Sequence, residues 1–294
     1  MKLPLEIGIL GTGRMGSSIA RRLHEKGFRL LLWNRDQAKA AALGFGNVLQ
    51  SPAAVAEQAD LVLSSLTDAR AIRDVYLGPR GAIQGSHGQT FIDTSTAGRE
   101  VIWEAAHELR ARGSDLLDAP IAGAAPSVLE GNCLVLVSGD RRRTHLALPI
   151  LEAIGAVRYV GALGTASLLK LVSNCMVAIQ NAAAAELLWA AQMQSLDPEV
   201  VFDILERHAP GLGLRRKQYL SSTPQPVFFT VRDMAKDLDL AIEALTSRGK
   251  GLPVTLAARE QVGRALAAGA DRDLSFLLHL TDHMKESSNE VDTP

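Results

Sequence analysis

The stretch "IGILGTGRMG", Ile7 to Gly16, decides how the first half of this chain folds. It opens with the continuous apolar run of a strand buried on both faces, and the "SSIARRLHEKG" that follows has helical spacing. Gly11, Gly13 and Gly16 therefore fall at the turn from a first strand into a first helix. In that context Gly11 permits the tight turn, Gly13 lets backbone amides approach a pyrophosphate, and Gly16 lets the helix lie close to the strand. Thr12, Arg14 and Met15 complete the loop, whose helix N-terminus faces the phosphates. For Arg14 two readings stand: a further phosphate contact, or an exposed surface arginine. The motif predicts a dinucleotide-binding unit of the Rossmann type.

The second apolar run, "RLLLWNRD", ends where NAD-binding chains carry an acid for the ribose 2'-hydroxyl. Here Asn34 holds that position and Arg35 follows. Loss of the carboxylate removes its repulsion with a 2'-phosphate, and a guanidinium grips that phosphate with two parallel hydrogen bonds. NADP is the expected cofactor. Asp36 either caps the next helix or supplies a displaced ribose contact that restores some use of NAD.

From Leu5 to Val160 short apolar runs alternate with amphipathic stretches: "EIGIL", "RLLLWN", "DLVLSSL", "TFIDTS", "DLLDA", "CLVLVSG" and "AVRYV" are the predicted strands. The alternation predicts an α/β fold with a doubly wound sheet over residues 1–163. After Gly164 strand patterns stop. "GTASLLKLVSNCMVAIQNAAAAELLWAAQ", Gly164 to Gln192, reads as one long apolar interdomain helix that begins an all-helical domain over 164–286. Further helices are predicted at "DPEVVFDILERH", at "TVRDMAKDLDLAIEALTSRG", from Pro253 to Ala268 and from Leu274 to about Lys285. Residues 287–294, "SSNEVDTP", have the composition of a flexible tail.

The chain of 294 residues is 47% hydrophobic and 21% charged, with a net charge of -1. That balance gives no electrostatic case for nucleic acid or an anionic membrane as partner. Cys133 and Cys175 lie in apolar runs and fit a reducing compartment. No leader pattern opens the sequence, and Lys170, Asn174, Gln180, Asn181 and Glu186 interrupt the long helix. The expectation is a soluble cytoplasmic protein without a membrane partner. His279 and His283 have a chelating spacing, but "HLTDH" lacks the glutamate of the protease motif, so no metal site is predicted.

Lys170 and Asn174 lie one turn apart on the long helix, with Asn181 further along the same stripe. By spacing alone this is either a lysine snorkelling to water or a polar strip that faces a ligand. Other motifs bear on the choice. The glycine loop, "DTST" at 93–96, "DAPIAG" at 118–123, the segment around Lys170 and "FTVRDMAKD" ending at Asp237 resemble, in that order, the beta-hydroxyacid dehydrogenase family. The resemblance, to members of the 3-hydroxyisobutyrate dehydrogenase and semialdehyde reductase type, covers essentially the full chain.

The resemblance implies an NADPH-dependent oxidoreductase that moves hydride between the nicotinamide and the carbonyl of a small aldehyde or keto acid. Lys170 then matches the catalytic general acid/base and Asn174 a substrate-binding residue in a cleft between domains. A cation within reach of the carbonyl oxygen stabilises the charge left by hydride delivery and donates the proton. Ser95 and Thr96 match a loop near both nicotinamide and substrate; their other reading is a hydroxyl cap for the helix that starts near Gly98. Lys236 matches a lysine at the end of the cleft, against the alternative of a surface amine paired with Asp233 or Asp239, and Phe229 an aromatic lining it. The family's members usually form dimers or tetramers, so a homodimer or homotetramer is implied.

Where the family has "DAPVSGG" this chain has "DAPIAGAA": Ala122 replaces a serine and Ala124 a glycine beside Gly123, in the loop that cradles a substrate carboxylate. In "GALGTAS", Ala166 stands for a usual glycine. Arg215 and Arg216 are candidates for a replacement anion contact or are simply exposed. Two rival readings remain: an imine reductase acting on a C=N bond, a group that generally lacks the lysine, and a non-catalytic NADP-binding module that acts through partners.

Overall fold

The computed structural model describes residues 5–221, 223–247 and 249–280. The chain divides into two compact units on either side of the Lys170–Leu171 bond.

The first unit alternates as the apolar runs predict. It contains β1 (Glu6–Leu10), α1 (Arg14–Glu25), β2 (Arg29–Trp33), α2 (Gln37–Ala41), β3 (Asn47–Val48), α3 (Pro52–Gln58), β4 (Leu61–Ser64), α4 (Ala69–Leu77) and β5 (Thr90–Asp93). There follow α5 (Arg99–Arg110), β6 (Asp115–Asp118), β7 (Ile121–Ala122), α6 (Ala125–Glu130), β8 (Cys133–Ser138), α7 (Arg141–Ile154) and β9 (Gly155–Gly161). The sheet order is β3-β2-β1-β4-β5-β6-β8-β7, with β9 beside β8. Both β2 and β4 pair in parallel with β1. The strand order therefore reverses at β1, and the glycine loop stands at the carboxyl end of the strand where it reverses, the position at which open α/β sheets take their ligands.

One face of the sheet buries Ile19 and Leu23 of α1 with Ala147, Ile150 and Leu151 of α7. The other buries Val55 of α3, Ile72 of α4, and Val101 and Ala105 of α5. Strands covered on both faces have no alternating polar positions, which is why "LVLS" of β4 is buried at every residue. The two short strands β3 and β7 were not anticipated, and β8 pairs antiparallel with β6 and β7, so the sheet is mixed. Six residues of α6 span about 9 Å, short of the crossover a parallel pairing takes, and β8 runs back against β7 accordingly.

α8 (Thr165–Met193) carries the chain onward. The second unit holds its greater part with α9 (Pro198–His208), a 3-10 turn at Pro210–Arg215, α10 (Arg216–Leu220), α11 (Val231–Thr246), α12 (Pro253–Gly269) and a 3-10 segment at Leu274–His279. Asp197 caps α9 through Glu199 N, and Thr230 caps α11 through Asp233 N. By length and composition α8 could cross a membrane. Its Leu171, Cys175, Ala178, Ala185 and Leu188, however, are buried with Phe202, Met234, Leu238, Val262 and Phe276 in the core of the helical unit. The final predicted helix begins as 3-10 structure; its continuation past residue 280, His283 and the tail at 287–294 lie outside the described residues.

Candidate active site

In the glycine loop two glycines serve the fold and one does not. Gly11 has φ +94°, and a Cβ there would collide with the Ser65 carbonyl oxygen. A Cβ on Gly16 would collide with the carbonyl oxygen of Gly11, so the close approach of α1 to β1 requires its absence. Gly13 has an ordinary φ of -68° and nothing within 4 Å of a built Cβ. It precedes α1 without any side-chain cap, which leaves first-turn amides for a ligand. Thr12 is buried, Met15 packs partly against the core, and Arg14 is exposed, its carbonyl accepting bonds from the Ser17 and Ser18 hydroxyls.

Asn34 ties this loop to the end of β2. Its Oδ1 accepts the Thr12 amide at 3.0 Å, and its Nδ2 donates to the Asp36 carbonyl at 2.9 Å. Asp36 caps α2, accepting from Ala38 N at 3.2 Å. Gly11, Gly13, Asn34, Arg35, Lys39 and Arg80 line a cavity of about 590 Å³, with Asp36 and Asp74 also on its wall. An uncapped helix start, a glycine facing open space and a cavity with three cations form a cradle that fits a dinucleotide.

At the carboxyl end of β5, Asp93 is fully buried. Its carboxylate accepts the Ser64 hydroxyl, the Ser95 amide at 2.9 Å and the Ser95 hydroxyl at 3.1 Å. Burial foremost, with Asp118 nearby, raises its pKa to about 6. Ser95 Oγ in turn accepts the Leu66 amide, so this hydroxyl stitches the ends of β4 and β5 together. The Ser95 hydroxyl does not cap α5, which begins at Arg99 with Gly98 before it. The backbone turns there through φ +85° at Gly98, and the Ser95 hydroxyl is already engaged. Thr96 is half-buried.

Asp118, at the end of β6 and opposite Asp93 in the strand register, is also fully buried. It accepts the Ser138 hydroxyl and, from α8, both the amide and the hydroxyl of Ser167. Half-buried Lys170 lies one turn beyond Ser167. In the neighbouring loop Ala122 pairs with Leu134 of β8, Gly123 is exposed, and Ala124 precedes α6 with no side-chain bond.

In the helical unit, Asn174 is buried and its Nδ2 donates to Asp237 Oδ2 at 2.5 Å. The Lys236 ammonium lies 2.6 Å from Asp237 Oδ1. Lys236 thus has Asp237 as an ion-pair partner, while Asp239 is gripped by Arg259. Phe229 is half-buried against the helical core. Asn181 turns into packing, where its Oδ1 accepts the Tyr219 hydroxyl. Arg215 and Arg216 are not simply exposed: Arg215 is buried beside Asp273 at 3.3 Å, and Arg216 pairs with Glu199, Asp203 and Glu206. Among the described residues no three His, Cys, Asp or Glu side chains gather as a metal-binding group. Sequence reasoning gave Asp93, Asp118 and Asp237 no role: the first two close the apolar runs "TFID" and "DLLD", which marks their positions but not their partners.

A family model for the NAD binding domain of 6-phosphogluconate dehydrogenase matches residues 6–164. A second, described as NAD-binding of NADP-dependent 3-hydroxyisobutyrate dehydrogenase, matches residues 164–281. Glyoxylate/succinic semialdehyde reductase 2, chloroplastic, of Arabidopsis thaliana is 30% identical over 93% of this chain and 78% of its own length. The cytokine-like nuclear factor N-PAC of Homo sapiens is 30% identical over 95% of this chain, which spans only 52% of that protein. The solved 3-hydroxyisobutyrate dehydrogenase of Mycobacterium tuberculosis, with L-serine, superposes with a TM-score of 0.76 at 25% identity, covering 94% of this chain and 98% of that one. Solved reductive aminases and an imine reductase share the fold alone, at 22% identity or less.

Proposed function

Because this chain belongs to the beta-hydroxyacid dehydrogenase family of nicotinamide-dependent oxidoreductases, we propose that it is an NADPH-dependent reductase of a small aldehyde or keto acid, with Lys170 as general acid/base. The observation that carries the reading is α8, which presents Lys170 and Asn174 one turn apart just beyond its junction with the nucleotide-binding sheet. The bound nicotinamide supplies or accepts the hydride. Lys170 Nζ donates a proton to the carbonyl oxygen on reduction and removes it from the alcohol on oxidation. Within the helical unit Asn174, oriented by Asp237, is assigned to hydrogen-bonding the substrate, with Lys236 and Phe229 also assigned to substrate binding, and within the first unit Ser95 and Thr96 are assigned to the nicotinamide loop. Turnover of NADPH across short aldehydes, keto acids and cyclic imines tests this. Turnover confined to imines would replace the reading, and none at all would favour the partner-binding module.

Preference for NADPH is supported by the amide at Asn34 and by Arg35 beside it on the cavity wall. Arg35→Ala should weaken NADPH binding about ten- to a hundredfold, the loss of a hydrogen bond to a charged group, with little change for NADH. Equal weakening of both cofactors in a fluorescence titration would remove Arg35 from selectivity. Leu169, Val172, Met176 and Leu187 form an exposed apolar stripe on α8, which supports a homodimer. The two buried free cysteines suit the reducing cytoplasm.

The substrate is proposed to be less acidic or bulkier than the short semialdehyde acids, since Ala122 lacks the hydroxyl donor of the usual serine and Ala124 adds a methyl to the cradle where the family has glycine. An Ala122→Ser hydroxyl then meets an apolar group and lowers kcat/KM on the preferred substrate. A gain of about ten- to a hundredfold on acids, in an enzyme already preferring them, would overturn the assignment.

A further inference from the structure

Two of the first amides of α8 are paired by side chains of the sheet. Ala166 N donates to Ser138 Oγ at 3.2 Å, and Ser167 N donates to Asp118 Oδ2 at 2.8 Å. The Ser167 hydroxyl adds a bond to Asp118 Oδ1 at 2.9 Å, and the Ser138 hydroxyl binds Asp118 Oδ2 at 3.1 Å. Ser138 and Asp118 are both fully buried, on β8 and β6. The sheet thus caps the helix from outside, with a carboxylate set against the positive end of its dipole.

We propose that Asp118 is a positioning residue for Lys170, clamping the first turn of α8 so that the turn carrying the lysine is fixed in height and rotation. The inference rests on the reading of Lys170 as the proton donor. Lys170 follows Ser167 by three residues and Ala166 by four, so it shares their face of the helix, about 4.5 Å beyond Ser167 along the axis. A shift of about 1 Å at a reacting group costs as much as a hundredfold in rate, and a helix released from its cap gains that freedom at its first turns. Asp93, facing Asp118 from β5, does not share this task, because its bonds go to Ser64 and Ser95.

The test is a double-mutant cycle. Asp118→Asn keeps the side-chain shape but sets an amide N–H where both carboxylate oxygens now accept. It should lower kcat about ten- to a hundredfold while leaving the KM for NADPH, which depends on the glycine loop, unchanged. In a Lys170→Ala background the same substitution should add nothing to the loss, because residues that act as a unit are not additive. Equal losses in both backgrounds, or no loss in the native one, would overturn the proposal. Near-native turnover of Lys170→Ala alone would instead remove the reading beneath it, a separate outcome. If Asp118→Asn does not fold, Ser138→Ala, which withdraws support from the Ala166 amide, takes its place in the cycle with the same expectations.

Discussion

Lys170→Ala should lower kcat by about two to four powers of ten, the range for a positioned general acid, while the protein stays folded and binds NADPH as before. Hydride delivery leaves negative charge on the former carbonyl oxygen, and without a donor within hydrogen-bond reach that charge must wait for water. The fold should tolerate the change. Alanine is the best helix former, and Lys170 is only half-buried, on a helix whose burial against the second core comes from Leu171, Cys175 and Ala178. Circular dichroism and a cofactor titration would check fold and binding, and stopped-flow absorbance the rate. Near-normal turnover in a folded variant would take the lysine out of the mechanism.

The second large effect comes from setting Gly13 against Gly16. Gly13 has a common backbone conformation and open space, so Gly13→Asp should leave the apo-protein intact. It should even gain a few tenths of a kcal/mol, because aspartate caps a helix slightly better than glycine. The same carboxylate stands where the pyrophosphate must lie. Like charges in contact cost several kcal/mol, which is about a hundredfold or more in affinity for either nicotinamide cofactor. Gly16→Ala should behave the other way, destabilising the apo-protein by about 1–3 kcal/mol through overpacking, because its methyl meets the Gly11 carbonyl oxygen. Thermal melts with and without NADPH separate the two variants. A Gly13→Asp protein that still gains stability from NADPH would show that the phosphates bind elsewhere.

Those glycines were legible because their geometry is local: a strand, a turn and a helix within a dozen residues. The buried strands and the caps at Asp36 and Asp197 were legible for the same reason. The acids at the strand ends were not. Asp118 meets its partner Ser167 from 49 residues away, and nothing in "DLLDA" says what will arrive there. The arginine pair shows a different failure. A 3-10 turn ends at Arg215 and an α-helix starts at Arg216, and the change of pitch sends one guanidinium into the core and the other to the surface. Asn181 falls on the stripe of Lys170 and Asn174 by periodicity, but Tyr219, 38 residues on, claims it for packing.

Asn34 has a consequence for anyone who would re-engineer the enzyme to run on NADH. The obvious exchange, Asn34→Asp, supplies the acid that a free ribose prefers, but it also deletes the amide hydrogen that holds the Asp36 carbonyl and puts two oxygens face to face. The side chain that would choose the cofactor is also a strut between the glycine loop and the start of α2. Selectivity and loop rigidity are therefore linked in one residue. A successful switch has to leave Asn34 in place and act on Arg35, or restore the lost strut from another position.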